Sequence, residues 1–600
     1  MRIKILRLII FALFLLIAIN LIYIQLIKGG YFYNLSKNNR IRVVSILGQR
    51  GRIFDRNGII LADNRRSFDV MVVPQEMKDE VELFDFLSRS LQIDKKKLLK
   101  NYKQKIFESF SPVVVAEDIS REMAIVLEEN KFRFPGLLVQ ESFRRFYPQR
   151  EVSCHVVGYV GKMNPEKIEA LRGYGYSPQS FIGYSGVEEF YDRYLRGKEG
   201  GLQIEVNSRG EQVRLLSLKE PFKGHDITLT IDQRIQQAAV ELLAPARGTI
   251  IVMDMDHGAI LGMISSPGYD PNIFVENLSA QMTNVFSSSS SPLLNRAISG
   301  QYPPGSVFKI PVALGALDSG KIITATTFNC PGYYKLGQRE FRCTHVHGDQ
   351  SLIEAIAHSC NVYFFHVGMM TGVDVMDRYA RLLGLGSSTQ IDLPFEAKGV
   401  IPNRQQKKLE RHEAWYPGDT LNFSIGQGDV LATPIQLVHM MSIVAQNGRD
   451  VHPHVIKSIA GLWESRWQTP TAKSGIQDFS SDGEQSEDSI PHISDYTGGK
   501  NIHINSEKFF AALQVGLAAT VTDPSGTANV LNIPGLSVLG KTGTAQTSGN
   551  RDYHAWFVGC AASKKIKIAF CVFLEYGGSS YNACVIARDL LLRMQEEGIL

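Results

Sequence analysis

Apolar and polar positions divide the chain into stretches of different character. Residues Leu8 to Ile27 are apolar with only Asn20 and Gln25 as breaks. A helix rising about 1.5 Å per residue over that run spans a hydrocarbon core of about 30 Å. A transmembrane helix is therefore expected over 8–27. A cleaved signal peptide has a shorter apolar region and ends in an Ala-x-Ala-like site. Here Ile27 runs into Lys28-Gly-Gly-Tyr-Phe, so the anchor is expected to stay. From there to about Val152 charged and apolar residues are mixed. Within this stretch, Asp55-Arg-Asn-Gly58 reads as a hairpin-type turn between apolar segments. Gly183 to Gly197 reads as a loop leading into a helix that ends at Gly197. Thr228–Asp232 alternates like a strand, and Gln233 to Leu243 is helix-like.

The pattern changes at Arg247. Gly248–Asp254 is a strand, Met255-Asp-His-Gly258 a turn and Ala259–Ser265 a second strand. Strand-like segments return near the C-terminus, with helical segments between. This predicts an α+β domain with an antiparallel sheet over 241–600. Before it come a tail at 1–7, the anchor, and a mixed α/β pedestal domain over 28–240. Lys473 to Lys500 is rich in Ser, Asp, Glu and Gly and is expected to be a solvated loop.

Composition adds three limits. Six hundred residues imply two or more domains. A net charge of +4 is too small to argue for nucleic acid as a partner. Seven cysteines are an odd count for a disulfide framework in an exported chain. Cys560 and Cys571 lie in apolar strand-like runs and read as core. Arg2, Lys4 and Arg7 precede the anchor with no acid, which predicts a cytoplasmic N-terminus. Lys28, Lys37 and Arg40 follow it, but long domains translocate largely regardless of charge.

Candidate chemistry centres on Gln301-Tyr-Pro-Pro-Gly-Ser306-Val-Phe-Lys309, which is followed by an apolar, helix-like run. A spacing of three brings Ser306 and Lys309 to one helical face. A serine hydroxyl becomes a nucleophile when a base takes its proton, and a lysine held neutral by burial can do so. No other Ser-x-x-Lys occurs in the chain. Ser359-Cys-Asn361 follows, and Lys541-Thr-Gly-Thr544 comes far downstream. Ser-x-x-Lys, Ser-x-Asn and Lys-Thr-Gly in that order form the signature of the penicillin-binding protein and serine β-lactamase superfamily.

Over nearly its whole length the chain resembles a class B penicillin-binding protein, a monofunctional peptidoglycan transpeptidase. The anchor, Arg50–Ala62, the helix near 183–197, Asn295-Arg-Ala-Ile, Gly426-Gln-Gly-Asp429 and Lys541–Gln546 all match. Val187 stands where many relatives carry Leu. His554-Ala-Trp-Phe557 and a Cys/His cluster resemble the elongation-type enzymes, and a division-specific transpeptidase is the alternative. The resemblance implies that Ser306 attacks a D-Ala-D-Ala peptide and that Lys309 is its base. Ser359 would relay a proton and Asn361 would hold the peptide backbone. Lys541, at the end of a cleft strand, would face the terminal carboxylate, with Thr542 and Thr544 adding hydroxyls. Gly543 would let substrate approach. The oxyanion hole would be the backbone N–H of Ser306 and Thr544. Penicillin and other β-lactams would be trapped at the same serine. A D,D-carboxypeptidase, a β-lactamase or sensor, and an inactive scaffold share the motif triplet. The resemblance also implies a periplasmic catalytic domain on the inner membrane. It implies a glycan polymerase of the SEDS class and other elongation-complex proteins as partners.

Cys330, Cys343, His347 and Cys360 fall within thirty-one residues, a Cys₃His set that zinc takes tetrahedrally. Cys330-Pro-Gly and Arg342-Cys343 sit in turn-rich sequence rather than core-like runs. Some elongation-type relatives bind zinc between these same two motifs. His345 is the alternative to His347. Such a metal would be structural, anchoring Ser359 and Asn361, while the acyl transfer itself needs no cofactor.

Overall fold

The computed structural model describes residues 2–31, 41–46, 48–105, 112–170, 181–206, 212–276, 278–464, 500–502, 507–547 and 551–600. The loop expected at 473–500 falls outside them except for Lys500. The N-terminal helix Arg2–Ile22 continues through a π-helical turn, Tyr23–Ile27. Residues Ile3–Ile27 are long and apolar enough to cross a membrane.

The rest forms two compact units. The smaller comprises Met1–Gly51, Asn64–Arg145 and Arg196–Gly224; the larger comprises Arg52–Asp63, Phe146–Leu195 and His225–Leu600. These units and a linear boundary at 240 divide the chain differently. Ile53, Leu61, Val156, Val187 and Leu195 are buried in one continuous core with Ile251, Met253 and Phe308, which draws their segments into the larger unit. In the smaller unit, Ile41–Ile46, Gly200–Val206 and Gln212–Lys219 form a three-stranded antiparallel sheet. Its helices Glu80–Leu91 and Lys95–Lys105 bury Leu83, Phe84, Leu87, Leu98 and Tyr102 against Val70, Val72, Val113 and Val115.

The larger unit is organised by an antiparallel sheet of five strands: β1 (Gly248–Asp254), β2 (Ile260–Ser266), β3 (Ser537–Ala545), β4 (His554–Ala562) and β5 (Lys567–Leu574). Their order is β2-β1-β5-β4-β3, which leaves β3 at an edge. The expected first hairpin is present, with Gly248 opposite Ser266. Near-continuous apolar runs such as Ile568–Leu574 suit a sheet covered on both faces. Successive side chains alternate between those faces. Ile250, Val252, Phe557, Phe570 and Val572 meet the helices Gln233–Leu243 and Ser580–Glu596 through Ile235, Ala239, Ala583, Ala587 and Leu590. Ile251, Met253, Trp556, Val558 and Phe573 join the core that holds the helix Pro434–Ala445 and the helical region inserted between β2 and β3. Cys560 and Cys571 are buried in β4 and β5, as expected.

Two local expectations meet the structure differently. Asp55 builds its turn by accepting from Asn57 N at 2.8 Å and Ile59 N at 2.7 Å, in line with the sequence. The helix expected to end at Gly197 is broken into Gly186–Phe190 and Asp192–Leu195. There the Asp192 carboxylate accepts from Gly183 N at 3.0 Å. Glycines on the segment 158–161 approach Tyr184 and Ser185, which lead into these helices. A Cβ on Gly158, at φ +80°, would lie 1.8 Å from Ser185 O. Gly158→Ala is therefore expected to cost roughly 2–5 kcal/mol of stability, from left-handed strain plus overpacking. Gly161→Ala, whose added carbon would meet only the Tyr184 ring at 3.1 Å, should cost far less. Thermal unfolding of the two variants side by side checks this order.

Candidate active site

Ser306 lies in a 3-10 turn, Gly305–Phe308, which feeds the α-helix Lys309–Asp318. The α-helix thus begins at the lysine rather than at the serine. Tyr302 N donates to Ala432 O at 3.0 Å, and Ala432 N donates back to Tyr302 O at 2.9 Å. Trp556 Nε1 donates to Pro303 O at 3.1 Å, and Gly305 N donates to Gly426 O at 3.0 Å. Gly305 has φ +54°, and a Cβ there would meet Thr544 O at 2.8 Å; one on Gly426 would meet Gly305 O at 2.3 Å. These approaches explain Gly426 in its motif: it is a backbone contact behind the nucleophile. Ser306 itself is half-buried.

Lys309 is 1 % exposed and converges on the second motif. Its Nζ donates to Ser359 O at 2.6 Å, Asn361 Oδ1 at 2.7 Å and Ser359 Oγ at 3.3 Å. Burial pushes the Lys309 ammonium down to about 8, against an upward pull from the sulfurs of Cys343 and Cys360. Ser359 takes φ +57°, a left-handed conformation for a residue with a side chain, found where surrounding structure over-determines the backbone. It stands between the helices Leu352–Ala357 and Asn361–Thr371, and Cys360 caps the second by accepting from Tyr363 N.

The third motif occupies the edge strand β3. Lys541 was expected at a strand end facing substrate. It is instead the fifth of nine residues in β3 and fully buried, and its Nζ donates to Thr542 O at 3.2 Å. Burial pushes its ammonium well below the usual range, and the Lys309 charge adds to that. A buried lysine adjusts the electrostatics behind the cleft and presents no solvated cation to a carboxylate. Gly543 also serves packing: a Cβ on it would lie 3.0 Å from Pro304 O and 3.0 Å from the Val307 side chain. The serine turn thus rests on this glycine. Thr544 is exposed, while Thr542 is buried with its Oγ1 2.8 Å from Thr527 Oγ1. Thr527 was not singled out from sequence, and a lone threonine outside any motif carries no signal that could have found it.

The four expected metal ligands also come together. Ligand atoms of Cys330, Cys343, His347 and Cys360 all lie within 4.8 Å of one another. His347 Nδ1 stands 3.5 Å from both Cys330 Sγ and Cys343 Sγ. The structure chooses His347 over His345, whose carbonyl oxygen, not its ring, faces Cys330 Sγ at 3.6 Å. Asn361 N donates to Cys343 Sγ at 3.2 Å and Tyr363 N to Cys360 Sγ at 3.5 Å. Contact between the two thiols holds Cys343 down and Cys360 up. All seven cysteines are free.

A half-buried serine, a buried lysine of lowered basicity and a hydroxyl-bearing edge strand define an active-site-serine acyltransferase. The comparisons agree. The sequence profile of the penicillin binding protein transpeptidase domain matches residues 248–591, and that of the penicillin-binding protein dimerisation domain matches 45–229. Peptidoglycan D,D-transpeptidase MrdA of Escherichia coli K12 is 31% identical over 589 residues, 95% of this chain and 90% of the relative. The complex between penicillin-binding protein PBP2 and MreC from Helicobacter pylori has a similar chain, with a TM-score of 0.80 at 27% identity, covering 93% of this chain and 100% of that one. A structure on the coordination of polymerization and crosslinking by a peptidoglycan synthase complex gives a TM-score of 0.69 at 29% identity, covering 99% and 98%. The chain belongs to the penicillin-binding protein family, in its class B, penicillin-binding protein 2 branch, and is a peptidoglycan D,D-transpeptidase.

Because only the neutral amine can accept a proton, acylation should track the deprotonated fraction of Lys309. The rate constant is expected to rise with pH through about 8 and flatten above it. A stopped-flow pH series with a fluorescent penicillin checks this, and a flat profile between pH 6 and 9 would contradict it.

Proposed function

We propose that this enzyme cross-links peptidoglycan stem peptides during cell-wall elongation through an acyl-enzyme on Ser306. The observation that carries the reading is the convergence of buried Lys309 on Ser359 and Asn361, beside the serine turn. An ammonium has three donors and no lone pair. On losing one proton, Lys309 keeps its two short bonds, to Ser359 O and Asn361 Oδ1. The long contact to Ser359 Oγ is the one given up, which leaves the lone pair free for the proton of Ser306. Lys309 takes the proton of Ser306 as Oγ bonds to the carbonyl carbon of the D-Ala-D-Ala peptide. The C–N bond breaks, and the leaving amine of the terminal D-Ala takes a proton through Ser359. An amine of a neighbouring stem peptide then attacks the ester, gives up its proton by the same route, and returns Ser306 to its hydroxyl form. Backbone N–H groups of Ser306 and Thr544 stabilise the oxyanion, a placement favoured by the contact of Gly305 with Thr544. The exposed Thr544 hydroxyl suits the terminal carboxylate, with Thr542 and Thr527 paired behind it. β-Lactams enter the same first step and remain on the serine.

The Cys₃His cluster fits a structural zinc. Three sulfurs and an imidazole within 4.8 Å match its ligand preference. Backbone N–H groups already aimed at Cys343 and Cys360 are the kind of surrounding hydrogen bonds that support metal thiolates. Bound zinc supplies no reaction chemistry here. Cys360 lies between Ser359 and Asn361, so the ligands fix the segment that receives Lys309.

The apolar helix Ile3–Ile27 is read as a single span of the bacterial inner membrane, with the N-terminus cytoplasmic and the catalytic domain periplasmic. The smaller unit is read as the docking surface for elongation-complex proteins, including a membrane-embedded polymerase of the SEDS class. Similarity to the chain bound to MreC and to the synthase complex supports that reading.

Three measurements test these proposals. Ser306→Ala should abolish covalent penicillin labelling, read by mass spectrometry of the intact protein, while leaving the melting temperature nearly unchanged. Labelling at full stoichiometry would overturn the assignment. In the wild type, product analysis should show transfer to an amine; transfer to water alone would make the enzyme a carboxypeptidase. Elemental analysis of reduced, freshly purified protein should find one zinc per chain. Cys343→Ser is expected to lose the metal and to lower the melting temperature, and a metal-free wild type would defeat the zinc proposal.

A further inference from the structure

One group near the nucleophile has no part in the chemistry above. Glu575 directly follows β5, and its N–H donates to Arg247 O at 2.8 Å. Its carboxylate receives Arg296 Nε at 3.0 Å and Nη2 at 3.5 Å. Arg296 is 2 % exposed and is further fixed by donating to Ser291 O at 3.1 Å and Ser290 O at 2.7 Å. The same Glu575 oxygen, Oε1, accepts from the Tyr302 hydroxyl at 2.5 Å. The Tyr302 ring lies 4.2 Å from that of Phe573 and 5.5 Å from that of His554, centroid to centroid.

Desolvating an arginine and a carboxylate is costly, and apolar replacements of such pairs often leave stability unchanged or improved. Stability alone therefore does not account for this pair. What it does provide is a charged acceptor at a fixed point, which makes the bond to Tyr302 short and strong. The chain from Tyr302 to Ser306 transmits that fixation. Pro303 and Pro304 have locked φ and no N–H to re-pair. Gly305 is wedged against Thr544 O and Gly426 O. A shift of Tyr302 therefore meets two fixed φ angles and a glycine held by its neighbours before it reaches Ser306.

We infer that Glu575, held by Arg296, is a positioning residue for acylation: through the Tyr302 hydroxyl it sets where Ser306 stands relative to Lys309. It touches neither substrate nor reacting atoms. This gives Asn295-Arg-Ala-Ile and His554-Ala-Trp-Phe557 a shared task, since Arg296 clamps the carboxylate while His554 and Trp556 wall in the tyrosine. The inference rests on Ser306 being the acylated serine, which Ser306→Ala tests separately.

The test is single-turnover acylation by a fluorescent penicillin, with the non-covalent dissociation constant and the acylation rate constant resolved. Tyr302→Phe removes one hydroxyl and keeps the ring. The rate constant is expected to fall about tenfold, as small misplacements of reacting groups do. The dissociation constant should stay within about twofold and the melting temperature within a few degrees. Glu575→Gln keeps a carbonyl acceptor for Tyr302 and should lose less. The double variant should be no slower than Tyr302→Phe alone, because both act through one bond. An unchanged rate constant in Tyr302→Phe, a loss confined to the dissociation constant, or additive losses in the double variant would overturn the inference. If Glu575→Gln fails to fold, Tyr302→Phe decides by itself.

Discussion

Burial of Lys309 is the constraint on which the catalytic half of this protein turns. A lysine removed from water loses basicity, and that loss makes it a usable base near neutral pH. The burial has to be enforced. Phe308, Val312, Phe364 and Phe365 are part of the core around it, all at 2 % exposure or less. The cost of desolvating the amine is offset by Ser359 O, Ser359 Oγ and Asn361 Oδ1. Those acceptors are in place because Ser359 holds a left-handed backbone between two helices. The strained residue, the buried base and the second motif are therefore one arrangement seen from three sides.

The nucleophile is placed by contacts of a different kind. Glycines at 305, 426 and 543 let three backbone segments approach within distances that a single Cβ would spoil. The serine turn is thereby clamped between the edge strand and the Gly426 turn. The third motif contributes a close-approach glycine, an exposed threonine and a buried lysine, rather than a row of groups all facing substrate. Lys541 lies near Lys309 and shares its fate, two amines depressed in one core. The Lys309 charge adds to what burial does to Lys541.

The thiol cluster ties a peripheral hairpin to this centre. Cys330 and Cys343 border the short strands Phe328–Cys330 and Arg339–Arg342, while Cys360 is the cap of the helix that starts with Asn361. Four ligands so widely spaced in sequence meet only because these elements fold onto one another. The Asn361 N–H bond to Cys343 Sγ makes cluster and catalytic segment share a residue.

Sequence by itself determined the chemistry and the element types. Three short motifs in a fixed order named the reaction, because a serine needs a base at helical spacing and a carboxylate substrate needs hydroxyl donors. Apolar periodicity located the anchor, the first hairpin and the helix Gln233–Leu243, since those depend on local pattern alone. The Cys₃His set was legible as a composition but not as a constellation, and the choice between His345 and His347 was open. Only the tertiary structure decided that Lys541 is buried in mid-strand, that Gly543 supports the serine turn, and that 52–63 and 146–195 join the catalytic core. It alone brought in Glu575 and Thr527 and showed what Arg296 of the Asn295-Arg-Ala-Ile motif holds. Burial and close approach are properties of what comes to lie opposite a residue, and residues far apart in the chain write no local pattern for that.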